Sequence, residues 1–341
     1  MPVRALWLTV LLVSGAALAA DTPSGKLYPS RRCGECHGRQ RDEWSRSTHA
    51  LAASGAYLKA LQGLEPARRQ GCEGCHVPLA AGGARPSADG VGCDACHTAT
   101  AAASPPLALT LSPELATRFG PYSDSKDHHF HRTGFSAFVT SDALCVACHE
   151  GGEATAGGVR PYTTVSEWQQ VKGRKACKAC HMPTFKAIAA KGEKERKVAH
   201  HDFGADSGDR LQAAVTLRLA AQKGAVLVEL SNTGAQHALP TGRPEQALKV
   251  ELTFLDKGGA PLETVTRRLA RALVDAQGRP ADGFTAAREE QDTRLVPGRP
   301  FSERLPAPPN TARARARLWY EPFATGEPTL VKETEAALSG R

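Results

Sequence analysis

The sequence predicts a protein in two parts: a loop-rich region with short helices, and then an all-β, sandwich-like region. Three observations predict this division. The pattern Cys-x-x-Cys-His occurs five times between Cys33 and His181. The same region has few long periodic runs and many Gly, Pro and Ser residues, which interrupt regular structure. Beyond about residue 210, apolar residues alternate with polar ones, which is typical of strands.

The repeated pattern uses all ten cysteines of the chain. In a c-type haem site the two thiols form thioether bonds with the porphyrin, and the adjacent imidazole binds the iron from one side. Structural zinc needs no histidine after every second cysteine, thioredoxin-like pairs occur singly, and disulfides leave the five histidines unexplained. The pattern therefore predicts five haem c groups, at motif 1 (Cys33, Cys36, His37), motif 2 (Cys72, Cys75, His76), motif 3 (Cys93, Cys96, His97), motif 4 (Cys145, Cys148, His149) and motif 5 (Cys177, Cys180, His181).

Residues 1–20 are typical of a secretory signal peptide, with Arg4 before an apolar run and small residues at the expected cleavage point. No later segment has about 18 uninterrupted apolar residues, so we expect no transmembrane segment in the mature chain. Because c-type haem is attached outside the cytoplasm, the expected location is the periplasm. Secretion or association with the cell surface is the alternative.

The formal charge of +8 would by itself suggest nucleic acid or anionic membranes as partners. Five haems would bring ten propionates, which offset most of this charge. Basic residues are also not interleaved with aromatic ones, so no nucleic-acid partner is predicted.

Residues 21–209 are the predicted pentahaem region, in which the porphyrins supply much of the buried apolar surface. Short helices are expected at Gln40–Leu61, Pro113–Phe119 and Val165–Lys172. The charged stretch Lys186–Arg210 is expected to be a solvated connection, with docking of an acidic partner as the alternative.

Residues 210–325 are predicted to form an antiparallel β-sandwich, and residues 326–341 a tail or a short helix at Pro328–Leu338. The alternation of apolar and polar residues is seen in Leu211–Leu219, Leu248–Phe254 and Ala312–Tyr320.

The ligand on the opposite face of each haem decides what such a protein can do. Methionine is almost excluded, because Met1 leaves with the signal peptide and Met182 directly follows His181. Bis-histidine haems of low potential are therefore expected. Seven histidines lie outside the motifs, in four groups: His49; His128, His129 and His131; His200 and His201; and His237.

Four groups for five haems leave two alternatives open. Either one group binds two irons, for which the group of three histidines is the natural source, or one iron keeps an open position. Fully ligated haems are typical of an electron carrier, whereas an open iron is typical of an enzyme. His237 is predicted to reach from the β region to a haem and so to hold the two regions together.

Four segments, Glu43–Ala50, Ser166–Pro183, His201–Gly204 and His237–Gly242, resemble a family of exported bacterial multihaem cytochromes. This family is related to the tetrahaem cytochrome that serves hydroxylamine oxidoreductase. The resemblance implies electron transfer through closely stacked, mostly bis-histidine haems, and it favours His201 over His200 as a ligand. Gln236 stands where the family usually has glycine, and the Cys-x-x-Cys-Lys site of pentahaem nitrite reductases is not found. The candidate distal ligands are His49, His128, His129, His131, His201 and His237.

The sequence thus predicts an electron carrier of anaerobic respiration with no catalytic residue. It would pass electrons through five haems from a quinol-linked or cytochrome donor to a reductase or an outer-surface acceptor. One alternative is a reductase or oxidase of a small nitrogen or sulfur species at a five-coordinate haem. Another is a conducting structural subunit of a larger cytochrome assembly, and an oligomer is compatible with the sequence.

Overall fold

The computed structural model describes residues 26–338, with the exception of 56–58, 60, 63, 82–88, 104–107, 113–114, 151–154, 156, 205–206 and 323–325. The predicted signal peptide lies outside the described residues. Within them, no helix is long and apolar enough to span a membrane.

Short helices carry the Cys-x-x-Cys-His motifs. Motifs 2 to 5 each form the last turns of a helix, so that the cysteines at i and i+3 and the histidine at i+4 share one helical face. In motif 1 a helix ends at Cys33 and the next one begins directly after His37. The helices are α1 (Ser30–Cys33), α2 (Gly38–Ser45), α3 (Pro66–His76), α4 (Pro78–Ala81), α5 (Cys93–His97), α6 (Ala137–Thr140), α7 (Ala143–His149), α8 (Thr164–Gln169), α9 (Cys177–His181) and α10 (Ser207–Ala214), with a 3₁₀ turn at Ala50–Ala53.

Two of the three expected helical stretches contain helices, although shorter ones than predicted. The stretch Gln40–Leu61 holds the end of α2 and the 3₁₀ turn, and α8 overlaps Val165–Lys172. The prediction for Pro113–Phe119 was wrong, because residues 117–120 form a strand and residues 113–114 lie outside the described ranges. The backbone of residues 117–120 forms hydrogen bonds with another strand, and not the hydrogen bonds within one segment that a helix requires.

Three two-stranded sheets support these helices. The charged stretch Lys186–Arg210, which was expected to be a solvated connection, begins within one of these sheets, an antiparallel hairpin. The pairs are β1 (Ala99–Ala103) with β2 (Ala108–Leu111), antiparallel; β3 (Thr117–Gly120) with β4 (Arg132–Phe135), parallel; and β5 (Thr184–Ile188) with β6 (Glu195–Ala199), antiparallel.

Almost all of the packed apolar core belongs to the C-terminal part. The larger cluster of buried apolar residues has its members between Leu211 and Leu338, and the smaller one consists of Val159, Leu273, Ala286 and Ala281. The buried apolar residues of the motif region are mostly small or scattered, such as Ala95, Ala99 and Val77. This distribution agrees with the expectation that another group must fill the interior of the motif region.

The C-terminal part is β-rich and contains three sheets. Leu248, Val250, Leu252 and Phe254 point inward and are at most 2 % exposed, as their alternation predicts. The sheets, in spatial order, are β10 (Pro261–Leu269), β9 (Ala247–Leu255), β14 (Arg313–Glu321) and β15 (Thr329–Ala337); β13 (Phe301–Pro306), β8 (Ala225–Asn232) and β7 (Val215–Gln222); and β11 (Arg271–Val274) with β12 (Arg288–Asp292). The larger apolar cluster takes members from both of the first two sheets.

Two predicted boundaries in this part were wrong. Leu211 lies in α10, and the first strand begins only at Val215. The C-terminal segment is the edge strand β15, not a tail or a helix. Its Glu333 and Glu335 form ion pairs with arginines of β14, and Val331 is 4 % exposed in the core. These contacts with β14 fix the segment in an extended conformation.

Candidate functional site

Four of the five motif histidines face a second histidine at a nearly constant distance. The ring centroids of these pairs are 6.1–6.4 Å apart, whereas the centroid distances of the other histidine ring contacts scatter between 3.9 and 6.0 Å. In three of the four pairs the two rings are nearly parallel. The pairs are His37 with His131 (6.4 Å, interplanar angle 24°), His149 with His49 (6.1 Å, 62°), His97 with His201 (6.2 Å, 21°) and His181 with His237 (6.2 Å, 24°).

This spacing fits one iron ion between the two rings. An imidazole nitrogen binds a metal at about 2 Å and lies about 1.1 Å from its ring centre, so two axial imidazoles have centroids about 6.2 Å apart. The same distance recurs at four separate places in the fold. The residues present therefore fit haem iron with two axial histidines.

The ring nitrogens are oriented for such ligation. A carbonyl oxygen only accepts hydrogen bonds, so an imidazole whose Nδ1 contacts a carbonyl donates from Nδ1 and keeps Nε2 for a metal. Buried Nδ1 of His49 has no hydrogen-bond partner among the described residues, and ligation of iron by Nδ1 itself would satisfy this atom. The Nδ1–carbonyl contacts are His37 to Ala189 (2.8 Å), His76 to Ala52 (3.0 Å), His97 to Phe119 (2.6 Å), His131 to Arg132 (2.9 Å), His201 to Ala199 (2.9 Å) and His237 to Ala238 (2.9 Å).

Burial keeps these imidazoles neutral. It lowers the pKa of both His49 and His201 to about 4, and it also lowers the pKa of His97 and His149. Only the neutral imidazole has a lone pair for a metal, so these side chains are ready to bind iron at neutral pH.

Thiols of different motifs touch one another, which gives the motifs a spatial order. Motif 1 adjoins motif 3, and motif 4 adjoins both motif 2 and motif 5. In addition, Cys96 of motif 3 lies close enough to both motif 4 thiols, Cys145 and Cys148, for its charge to influence their pKa values. The hydrogen-bonded thiol pairs are Cys33 with Cys93, Cys75 with Cys148 and Cys145 with Cys177.

The three other histidines outside the motifs lie elsewhere. His128 and His129 are exposed and pack against each other and against Phe130. His200 contacts Phe185 and the carboxylate of Glu43. The group of three histidines thus places one member, His131, opposite a motif histidine. Each of the four groups supplies one such residue.

Residues of the β-rich part surround motif 2. Arg243 lies close enough to His76 to lower its pKa, after the larger effect of burial. Its guanidinium is held by Glu245 (3.1 and 3.2 Å), lies over the ring of Phe284 (4.8 Å to the centroid) and hydrogen-bonds to Tyr162. Burial raises the pKa of Tyr162, so its hydroxyl stays protonated at neutral pH. This environment is polar.

Buried polar contacts fix the loop that carries His237 to α8. Glu167 of α8 and Arg294 of the β-rich part are 11 % and 6 % exposed and form an ion pair, so little water competes with it. The contacts hold His237 in place opposite His181. The four donors to Glu167 are Arg294 Nη1 (2.6 Å) and Thr163 Oγ1 (2.7 Å) on Oε1, and Ala238 N (3.0 Å) and Thr241 Oγ1 (2.8 Å) on Oε2.

Sequence reasoning missed Glu167, Arg294, Arg243 and Tyr162. Glu167 and Arg294 are single charged residues 127 positions apart, and no local pattern marks them as a pair. A Pro- and Gly-rich loop around His237 was the one signal that this segment is held in a defined conformation.

Comparison with known proteins agrees with this geometry. Residues 32–98, which contain motifs 1 to 3, match the family described as cytochrome c554 and c-prime. Comparison with curated proteins gives no match. This region therefore has the motifs of that family and the residues that would attach haem c.

One solved structure is similar over nearly the whole chain. It is a penta-heme cytochrome c552 from Thermochromatium tepidum, with a TM-score of 0.75 and 23 % sequence identity over 93 % of this chain and 100 % of that chain. A superoxide reductase structure aligns with 37 % of this chain and 87 % of that chain at 14 % identity, but its TM-score of 0.20 supports no conclusion.

Proposed function

We propose that this protein is an exported electron carrier with five haem c groups. The observation that carries the proposal is the set of four histidine pairs at 6.1–6.4 Å, each of which includes one motif histidine. Haem iron with two imidazole ligands changes its oxidation state without binding a substrate. The ten cysteines would attach the haems, the five motif histidines would be the proximal ligands, and His49, His131, His201 and His237 would be the distal ones.

The thiol contacts support an order in which electrons pass through the haems of motifs 1, 3, 4 and 5, with motif 2 as a branch beside motif 4. The polypeptide holds the haems close together, and burial and hydrogen bonding set their potentials. A quinol-linked or cytochrome donor and a reductase or surface acceptor are the proposed partners.

The proposal divides the chain into a signal peptide (1–20), a pentahaem region (21–209) and a β-sandwich that begins near residue 210 and includes β15. The shared apolar core of the two larger sheets supports the sandwich arrangement. The periplasm is the proposed location.

A spectroelectrochemical titration of the haem-loaded protein tests the proposal. We expect five one-electron reductions per chain, at the low potentials of haems without a methionine ligand. Fewer than five electrons per chain, or high potentials throughout, would contradict it.

A further inference from the structure

The hairpin of β5 and β6 presents lysines to solvent. This basic hairpin, residues 184–199, contains five basic and two acidic residues. Arg196 pairs with Asp124 at 2.8 Å. The four lysines, in contrast, are exposed and form no ion pair with any residue that the structure describes: Lys186, Lys191, Lys194 and Lys197.

The strand register of the hairpin places like charges together. Lys186 and Lys197 are direct cross-strand neighbours on its outer face. Like charges directly opposite one another destabilise a strand pair, so this arrangement costs stability unless an anionic group lies against it. Ile188, on the same outer face, is 51 % exposed. The inner face, with Ala187 and Val198, is buried.

The tip of the hairpin touches motif 1. The main-chain N–H of Lys191 donates to the carbonyl of Cys36 (2.9 Å), and His37 Nδ1 donates to the carbonyl of Ala189 (2.8 Å). Motif 1 also lies at one end of the proposed haem order, where electrons must enter or leave. Ile188 pairs across the hairpin with Glu195, and Lys186 with Lys197 is a neighbouring pair on the same outer face. An exposed apolar residue near lysines is typical of the small, charge-steered contacts of electron-transfer proteins.

We propose that the basic hairpin is the surface on which an acidic redox protein docks to exchange electrons with the haem of motif 1. This inference rests on the proposed electron-carrier function. The lysines attract the partner and orient it, and Ile188 makes the apolar contact at the centre. Because the contact is electrostatic and exposed, its rate falls as ionic strength rises.

The test is stopped-flow reduction of the oxidised, haem-loaded protein by the hydroquinone of flavodoxin, a small acidic redox protein. Photogenerated lumiflavin semiquinone, a neutral small reductant, is the reference. The variant carries Lys186→Glu, Lys194→Glu and Lys197→Glu, which keeps like charges opposite each other. The matched control carries Lys223→Glu, Lys257→Glu and Arg299→Glu, all exposed positions in the β-rich part.

We expect the hairpin variant to react with flavodoxin about tenfold more slowly at low ionic strength and to lose most of the salt dependence. The control variant should stay within about twofold of the unchanged protein, and both should react normally with lumiflavin. Equal losses in the two variants would overturn the proposal, because net charge alone would then explain them. So would a slower reaction of the hairpin variant with lumiflavin, since the lysines would then act on the haem itself, for example through its propionates.

The outcome also separates this inference from the proposed function. If the unchanged protein accepts electrons from lumiflavin but the hairpin variant behaves like the control, the docking surface is wrong and the carrier function stands. If the unchanged protein accepts electrons from neither reductant, the carrier function itself fails.

Discussion

At the scale of single residues, the decisive feature is how each imidazole is held before any metal binds. Main-chain carbonyls accept from Nδ1 of six histidines, and burial keeps His49 and His201 neutral. These contacts leave Nε2 available for a metal. The backbone therefore orients these imidazoles for ligation before iron binds.

Removal of one distal histidine should change one haem. We expect His131→Ala to convert one low-spin haem into a high-spin one that binds cyanide, because His37 would keep no second imidazole opposite it. Low-temperature EPR measures the change. The matched control is His128→Ala, three residues away and exposed, which should leave the spectrum unaltered. The same spectrum for both variants would contradict the assignment of His131.

The Glu167–Arg294 ion pair should position His237. Glu167→Gln replaces an acceptor-only group with one that carries two N–H donors, so donors of the loop and of Arg294 lose their acceptor. We expect a loss of about 3–5 kcal/mol in the free energy of unfolding and a high-spin fraction at one haem.

Thermal unfolding followed by EPR measures both effects. The control Glu303→Gln alters a more exposed pair with Arg267 and should cost less than about 1 kcal/mol. An unchanged EPR spectrum for Glu167→Gln would show that the ion pair does not position the ligand.

Asp292 should make stability depend on pH. Burial alone would raise its pKa, but hydrogen bonds and the positive charge of Arg294 outweigh burial and lower the pKa below its usual range. The folded pKa is thus below the unfolded one, so the stabilisation is complete above about pH 4–5 and is lost as pH falls through the folded pKa.

We expect Asp292→Asn to cost about 1–3 kcal/mol at pH 7, and the difference from the unchanged protein to shrink below about pH 4. Denaturant unfolding at several pH values measures it. The control is Asp42→Asn, at a side chain that is 64 % exposed. A difference that stays constant down to pH 3 would contradict the account.

The proximal side of each haem site could be predicted from the sequence more completely than the distal side. Attachment cysteines and proximal histidines are adjacent in the chain, because covalent attachment and ligation on one side need one local motif. Distal histidines come from remote segments, so only tertiary structure pairs His97 with His201 and His181 with His237. Local sequence identified the four groups, but it could not show that the trio contributes a single member.

At the scale of elements, the β-rich part has an ordinary apolar core, unlike the motif region. Phe254 of β9 is fully buried, whereas Leu262 of β10 is 42 % exposed. This contrast permits a direct test of which side chains stabilise the sheets.

Phe254→Ala should cost about 3–5 kcal/mol in the free energy of unfolding, because it removes a large buried side chain and leaves a cavity. Leu262→Ala should cost less than about 0.5 kcal/mol. Denaturant unfolding, monitored by far-UV circular dichroism, compares the two. Similar losses of stability in the two variants would mean that Phe254 does not belong to the core of the β-rich part.

Strand predictions succeeded where a strand buries one face and failed at the ends. The alternation in β9 and β14 reflects a face against the core, and such a face fixes the register. Residues 329–337 have mostly polar side chains, and their extended conformation depends on pairing with β14, which no local pattern records. Strand β3 was taken for a helix for the same reason.

At the scale of the whole molecule, motifs that are far apart in the sequence lie next to one another in the structure. Motif 1 adjoins motif 3, motif 4 adjoins motifs 2 and 5, and His237 reaches motif 5 from the β-rich part. The spatial order of the motifs therefore differs from their order in the sequence. The central claim of this account is that four of the haems are each held between two histidines.

The most direct test of that claim is low-temperature EPR with optical spectroscopy of the oxidised, haem-loaded protein, before and after the addition of cyanide. The account predicts five haems per chain, of which at least four are low-spin and indifferent to cyanide. Two or more haems that take up cyanide would contradict it, because at least one of the four histidine pairs would then not ligate iron.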